Sequence, residues 1–348
     1  MPTTPRGHVR TVLPPYLLDR LARHGSDHVR ACAQATLRAD GDPNEVRRAA
    51  RARLVQAPRT AAAVSLRRSV HSADNGTSLP GRLVRAEGDA PTGDVAADEA
   101  YDYLGATDAL FRDAYGRNAI DDAGMPLVGT VHYGRNYDNA FWNGQQMVFG
   151  DGDGEIFNRF TIALDIVAHE LAHGVIDREA GLAYQGQAGA LNESISDVFG
   201  ALAKQRHLDQ TADQADWLIG AGLFTPAVQA RALRSMSAPG TAYDDPVLGK
   251  DPQPAHMRDF VITEADNGGV HINSGIPNRA FYVAATALGG HAWEVAGRIW
   301  YDALRDARLA PDADFAAFAR LTLAHAAAAG EDALQAVRQG WETVGVLQ

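Results

Sequence analysis

The segment Ile166-Val167-Ala168-His169-Glu170-Leu171-Ala172-His173-Gly174-Val175 constrains this chain more than any other. It sets His-Glu-x-x-His inside an apolar run of helical period. Residues four apart lie one turn apart on one helix face, so His169 and His173 can converge on one metal ion. Glu170 is offset beside that face, within reach of a metal-bound water. A core helix whose two histidines are satisfied by neighbours would show the same pattern, so a third ligand has to be found elsewhere. Asn192-Glu193-Ser194-Ile195-Ser196-Asp197 supplies one on the next helical stretch. A hydrolytic metal site needs three protein ligands and an open position for water. Glu193 can be the third ligand. Asp197, one turn on, can accept the remaining N–H of a ligand histidine and fix its tautomer. Ile195, Val198 and Phe199 surround the two acids with apolar neighbours, which favours an inward role.

A chain of 348 residues, 46% of them hydrophobic, has room for two domains or one large one with a sizeable core. No uninterrupted apolar run reaches membrane-spanning length, and Met1-Pro2-Thr3-Thr4-Pro5-Arg6 lacks the apolar core of a signal peptide. The expectation is a soluble protein, cytoplasmic as synthesised, exported if at all by a non-Sec route. The single cysteine, Cys32, leaves no internal disulfide. The net charge of −11 is unevenly spread: residues 1–70 carry +8 and the remainder −19. A basic head on an acidic body suits either nucleic acid or docking on its own body. Pro14-Pro15-Tyr16-Leu17-Leu18-Asp19-Arg20-Leu21 and His28–Ala33 carry helical apolar patterning, which favours docking. Arg47-Arg48-Ala49-Ala50-Arg51-Ala52-Arg53, before Pro58, has little to bury and reads as a cleavable linker.

From Ser69 the texture changes. Val70–Val84, broken by Asn75-Gly76 and Pro80-Gly81, reads as strands with tight turns. Glu99–Ala114 is helical, and Leu127–Tyr133 and Gln146–Gly150 read as strands separated by Asn139–Gly144. Asp151-Gly152-Asp153-Gly154 lacks the glycine and final glutamate of a calcium loop and reads as a turn. Beyond residue 160 helices dominate, at 161–176, 191–206, 278–288, 293–308, 312–329 and 331–344. The architecture is α+β: a strand-rich half, then a helical half, with the histidine helix at the seam.

Several ordered motifs together carry a family resemblance. They are Asn139-Ala140-Phe141-Trp142, His169-Glu170-Leu171-Ala172-His173, Gly181-Leu182-Ala183-Tyr184-Gln185, Asn192–Asp197, Leu233-Arg234-Ser235-Met236 and Asp266-Asn267-Gly268-Gly269-Val270-His271. Over residues 69–348 the chain resembles the thermolysin family of zinc metalloendopeptidases, whose zinc is held by two histidines and a glutamate. The resemblance implies a two-domain fold with the cleft between the halves. It implies His169, His173 and Glu193 as ligands of one zinc ion, with Asp197 and Asn192 behind them, and Glu170 as general base. It implies Tyr184 and His271 as donors to the developing oxyanion, with Asp266 orienting His271. Asn139, the Ala140 carbonyl and Arg234 would clamp the substrate backbone. Phe157, Ile166 and Leu233 would line an apolar pocket for the residue after the scissile bond, so cleavage is expected before Leu or Phe. Substrates would be proteins or peptides, with neither nucleic acid nor membrane as partner.

Two departures from the family pattern matter. Where relatives with a paired calcium site carry acids, Asp165 and Asp216 remain, but Lys204, Leu218 and Ala221 occupy matching positions. An ammonium there argues against the double site and leaves calcium dependence doubtful. The head is short, and Pro14–Leu18 is similar to the protealysin-like branch, which implies a zymogen whose own propeptide covers the cleft. The expected division is an inhibitory propeptide with its basic linker over 1–55, an N-terminal catalytic domain over 56–177 ending in the histidine helix, and a C-terminal helical domain over 178–348. Self-cleavage is expected between about residues 45 and 65. Two readings compete: a catalytically silent zinc protein that binds peptides, and an exopeptidase on the same helix. Intact Glu170, Tyr184 and His271 speak against the first, and the lack of a recognisable motif for a free amino terminus against the second.

Overall fold

The computed structural model describes residues 10–41 and 66–347, so the Arg-rich linker and its expected cleavage region lie outside the described residues. The strand-rich half is built on a six-stranded sheet in the order β1-β5-β6-β4-β2-β3. Its strands are β1 Arg10–Thr11, β2 Arg68–Ser72, β3 Arg82–Ala86, β4 Leu127–Val131, β5 Ala140–Trp142 and β6 Met147–Phe149. β2 and β6 flank β4 in parallel, and the other pairings are antiparallel. β5 falls inside Asn139–Gly144, which the sequence pattern reads as a connector. Three residues, all buried, show no alternation of apolar and polar positions, so the period-2 signal is absent.

Helix α3, Val95–Tyr115, packs on this sheet; the Asp94 side chain caps its start and Gly116 ends it at φ 70°. Next come α4, Leu164–Glu179, and α5, Gly186–His207. Every residue of α4 from Leu164 to Ile176 is buried, so this helix runs through the molecule instead of across its surface. It continues to Glu179, two residues past the domain boundary expected at 177. Its closest approach to α5 depends on Gly200, where an added Cβ would stand 2.6 Å from the Asp165 carbonyl oxygen. The helical half adds α6 Asp266–Asn273, α7 Gly275–Leu288, α8 Ala296–Leu304, α9 Phe315–Ala329 and α10 Glu331–Thr343. Trp300 and Trp341 stack in its core, their centroids 5.9 Å apart. Two short ribbons complete the half: β7 Leu218–Ile219 with β8 Arg234–Ser235, and β9 Asp244–Asp245 with β10 Gly249–Lys250.

The head forms helices α1, Pro15–His24, and α2, Asp27–Asp40. Proline opens α1, and Leu17, Leu18 and Leu21 are fully buried in the main core. Ahead of α1, β1 pairs with β5, Arg10 opposite Trp142 and Thr11 opposite Phe141. The head thereby adds a strand to the edge of the body's sheet.

Candidate metal centre and cleft

His169 and His173 stand one turn apart on α4, with ring centroids 4.6 Å apart. Each ring is fixed through Nδ1. Asp197 Oδ1 lies 2.9 Å from His169 Nδ1, and Asn192 Oδ1 lies 2.8 Å from His173 Nδ1. Ser196 Oγ, 3.0 Å from the same His173 nitrogen, is a further partner that sequence spacing did not single out. Both Nε2 atoms are therefore directed away from these partners, and they are buried without a hydrogen bond, as is Glu193 Oε2. The Nε2 atoms lie 3.5 and 3.4 Å from the Glu193 carboxylate. One atom from each of the three residues falls within 4.8 Å of the others, the single such group among the described residues. Three buried donors sharing one space, with their outer faces already bonded, fit a tetrahedral zinc ion with one position left over.

Asp197 gathers more than the ligand histidine. Arg234 donates to it twice, Nε to Oδ2 and Nη2 to Oδ1, both at 2.8 Å, and Asn278 Nδ2 donates at 2.9 Å. Burial opposes its charge, but Arg234 and His169 hold the Asp197 carboxyl down to about 2. Asn278 arrives from α7, and no local pattern marks it.

Glu170 is fully buried beside the ligands, and neither carboxylate oxygen has a hydrogen-bond partner. Burial, against the pull of His169 and with the Glu193 charge, pushes its carboxyl up to about 8. Tyr184 and His271 face the same space: the Tyr184 hydroxyl donates to Glu193 Oε1 and lies 3.3 Å from His271 Nε2. His271 follows a turn in which Asn267, Gly268 and Gly269 have φ of 50°, 83° and 75°. Two successive glycines make that left-handed stretch accessible. It folds Asp266 back, so that Oδ1 lies 2.6 Å from His271 Nδ1 and Oδ2 accepts the His271 backbone N–H at 2.9 Å. Burial disfavours an imidazolium, yet Glu193 and Asp266 hold His271 up to about 9.

The head passes through this cleft. His271 Nε2 donates to the Thr11 carbonyl at 2.8 Å. The Val12 N–H donates to the Ala140 carbonyl at 3.1 Å, and Arg234 Nη1 donates to the Val12 carbonyl at 3.0 Å. The Leu13 N–H donates to Asn139 Oδ1 at 2.9 Å, and Asn139 Nδ2 reaches the Leu13 carbonyl at 3.4 Å. Phe157, Ile166 and Leu233 are buried in the same apolar cluster as Val12 and Leu13. A glycine, Gly220, lies against both Ile166 and Leu233. The family resemblance marked the body's half of these contacts and missed Arg10–Leu13, which precede the first helical signal of the head.

The remaining polar features lie apart from the metal ligands. His132 sits between Asp94 at 2.7 Å and Asp151 at 2.9 Å, and His325 lies 3.0 Å from Asp306. Asp153 Oδ1 accepts three consecutive backbone N–H groups, from residues 155 to 157, as a turn anchor. Lys204 Nζ lies 2.8 Å from Asp165 Oδ2, 2.9 Å from Asp216 Oδ1 and 2.6 Å from the Leu218 carbonyl. No helix among the described residues is long and apolar enough to cross a membrane.

Comparison with known proteins agrees with this geometry. Residues 53–177 match the thermolysin metallopeptidase catalytic domain, and residues 180–346 its alpha-helical domain. An extracellular metalloprotease of Pectobacterium carotovorum subsp. carotovorum is 56% identical over 97% of this chain and 96% of its own length. An extracellular minor metalloprotease of Serratia marcescens is 45% identical over 83% of this chain and 80% of its own. Among solved structures, the precursor of protealysin from Serratia proteamaculans superposes with a TM-score of 0.89 at 59% identity, covering 97% of this chain and all of that one. The chain belongs to the thermolysin family of zinc metalloproteases.

Proposed function

We propose that this protein is a zinc endopeptidase held inactive by its own head, cutting internal peptide bonds on the amino side of apolar residues. The observation that carries this reading is the path of Arg10–Leu13. The Thr11 carbonyl meets His271, while Ala140, Arg234 and Asn139 bind successive backbone groups of Val12 and Leu13. A substrate in that register has its scissile bond where Thr11 joins Val12, and its next side chain enters the apolar core that Val12 shares with Phe157, Ile166 and Leu233.

His169, His173 and Glu193 would hold the zinc ion. When bound, it would act as a Lewis acid and lower the pKa of its water from 15.7 to about 7. The Glu170 carboxylate accepts a proton as water attacks the carbonyl carbon, and later passes it to the leaving amine. His271 Nε2 and the Tyr184 hydroxyl donate to the oxyanion; losing one such donor typically costs about 2.7–4 kcal/mol. Asp266 fixes the His271 ring through Nδ1. Arg234 ties the clamp on the substrate backbone to the support behind His169, because one guanidinium serves both Val12 and Asp197.

The domain reading follows: residues 1–55 as propeptide and linker, 56–177 and 178–348 as the two catalytic halves. Processing in the linker would release the head. Lys204 among Asp165, Asp216 and the Leu218 carbonyl supports a fold that does without calcium there. The Pectobacterium and Serratia marcescens relatives are extracellular metalloproteases, which supports action outside the cell.

The test is digestion of an unfolded protein, with Glu170→Gln and a zinc chelator as controls, reading new ends by mass spectrometry. Internal cuts before Leu or Phe that vanish in both controls are expected. Zinc-loaded, head-free protein that cuts nothing would shift the reading to a peptide-binding module.

A further inference from the structure

We propose that the cleft carries a subsite for a basic side chain at the second residue before the scissile bond, built from Asp177, the Leu182 carbonyl and the Tyr184 ring. The inference rests on the register given under Proposed function: with the scissile bond placed at Thr11–Val12, Arg10 is that second residue.

Arg10 is only 3% exposed although it lies at the edge of the sheet. Its Nη1 bonds Asp177 Oδ1, and its Nη2 donates to the Leu182 carbonyl at 3.5 Å. The guanidinium carbon stands 5.3 Å from the Tyr184 ring centroid. A buried guanidinium is costly unless a carboxylate and further acceptors receive it, and here both are provided. The ring adds a cation–π contact. A cavity of about 280 Å³ continues beside Arg10, bounded by Trp142, Gly144, Gly174 and Gly181, so a lysine or arginine of another peptide has space to enter.

Placement ties this subsite to the chemistry. Asp177 lies one turn beyond His173 on α4, so the helix that presents two metal ligands also fixes the carboxylate. Tyr184 points its hydroxyl toward Glu193 and a ring face toward Arg10. None of Asp177, Leu182 and Tyr184 belongs to the head, so all three stay when it leaves. Arg178 also lines the cavity and would meet an acidic side chain there, so acidic peptides belong in the test.

The linker contains the same pattern. Arg53-Leu54-Val55 repeats basic, any, branched apolar, as in Arg10-Thr11-Val12. The subsite therefore selects Leu54–Val55, one residue ahead of the proposed division between residues 55 and 56, as the activating bond.

The experiment uses head-free enzyme and three internally quenched peptides that share a Leu-Val bond and differ only in the residue before that leucine: Arg, Gln or Glu. The Arg peptide is expected to exceed the Gln peptide in kcat/KM by about 10-fold, the effect of one charge-assisted contact. That ratio is expected to fall with added salt, to collapse to within about 2-fold in Asp177→Asn, and to survive in Asp177→Glu. Reading a ratio within each variant cancels any general loss of activity or folded protein. In the full chain, Val55 is the expected new amino terminus, and Arg53→Gln is expected to slow its appearance. Equal cleavage of the Arg and Gln peptides, preference for Glu, or a ratio untouched by Asp177→Asn would overturn the subsite while leaving the endopeptidase reading standing. Cleavage of none of the three would overturn both.

Discussion

Helices α4 and α5 cross twice-charged ground, and the two ends of their contact are built differently. At one end His169, His173 and Glu193 bring three buried donors to a shared space. At the other end Asp165 faces Lys204, whose ammonium also meets Asp216 and the Leu218 carbonyl. Burial works against that ammonium's charge, yet the two aspartates hold its pKa above the ordinary lysine value. The first end has to recruit a cation, and the second carries one covalently. A recruited ion keeps an open position for water, which chemistry requires; a tethered ammonium spends all three donors on the protein and serves only cohesion.

A third charge cluster takes neither course. Beneath the head, Asp138 is fully buried and both its carboxylate oxygens lack hydrogen-bond partners, while its neighbours include Asp153 and the head's own Asp40. Asp40 accepts from the Tyr137 hydroxyl and from Asn139 Nδ2 at 2.9 Å. Burial, with the charges of Asp153 and Asp40, pushes Asp138 up to about 8. Burial also pushes Asp40 up to about 6 against the hydrogen bonds of Tyr137 and Asn139. The raised values let Asp138 and Asp40 take up protons where the other two sites use a cation.

The largest expected effect probes the recruited-ion end. Glu170→Gln should lower kcat by about 10²–10⁴-fold while bound zinc, measured by atomic absorption, stays at the level of the parent. A variant that loses zinc along with activity would show that Glu170 belongs to the ion's support and not to the chemistry.

Lys204→Met probes the tethered end. Removing one partner of a buried pair typically costs about 3–5 kcal/mol, and the low end applies because Asp216 is partly exposed. Thermal unfolding should show the drop, and calcium should restore part of it in the variant while leaving the parent unmoved. Calcium raising the parent's Tm just as much would erase the contrast between the two ends.

Asp197→Asn should weaken zinc binding by about 10–100-fold, since it loosens the orientation of His169 and leaves Arg234 poorly paired. Competition with a chelator of known affinity reads this directly.

The smallest effect concerns the proton-neutralised cluster. Both carboxyls have raised pKa values when the head is docked, so docking is fully favoured below the ordinary carboxylate value near 4. It weakens as pH rises through about 6 and then about 8. In Glu170→Gln protein nicked by trypsin in the linker, affinity for the head, read by its retention on gel filtration, should fall by at least about 10-fold between pH 5 and 8, the share that Asp40 alone supplies. Retention that rises with pH would reverse the sign and remove the proton from the account.

Much of the site was legible because its chemistry is local. His169 and His173 are placed by helical spacing alone, as are Glu193 and Asp197, and the Gly268-Gly269 pair announces the turn before His271. The helical half was read with ends shifted by a few residues, since capping in the fold sets where a helix stops: α8 ends at Leu304, short of the expected 308. Strand β5 was invisible because burial on both faces erases the alternation that marks a strand.

What the sequence determined by itself is the set of groups able to act: two imidazoles one turn apart, acids at matching spacing, and a basic head on an acidic body. Only the tertiary structure decided which groups meet. Asn278 lies 81 residues from Asp197, and Arg234 lies 222 residues from Val12. Arg10 finds Asp177 across 167 residues. Helical spacing is fixed by backbone geometry, which any stretch of chain carries with it. Contacts at such separations depend on how α4, α5, α7 and the edge strand pack, and packing is a property of the whole chain.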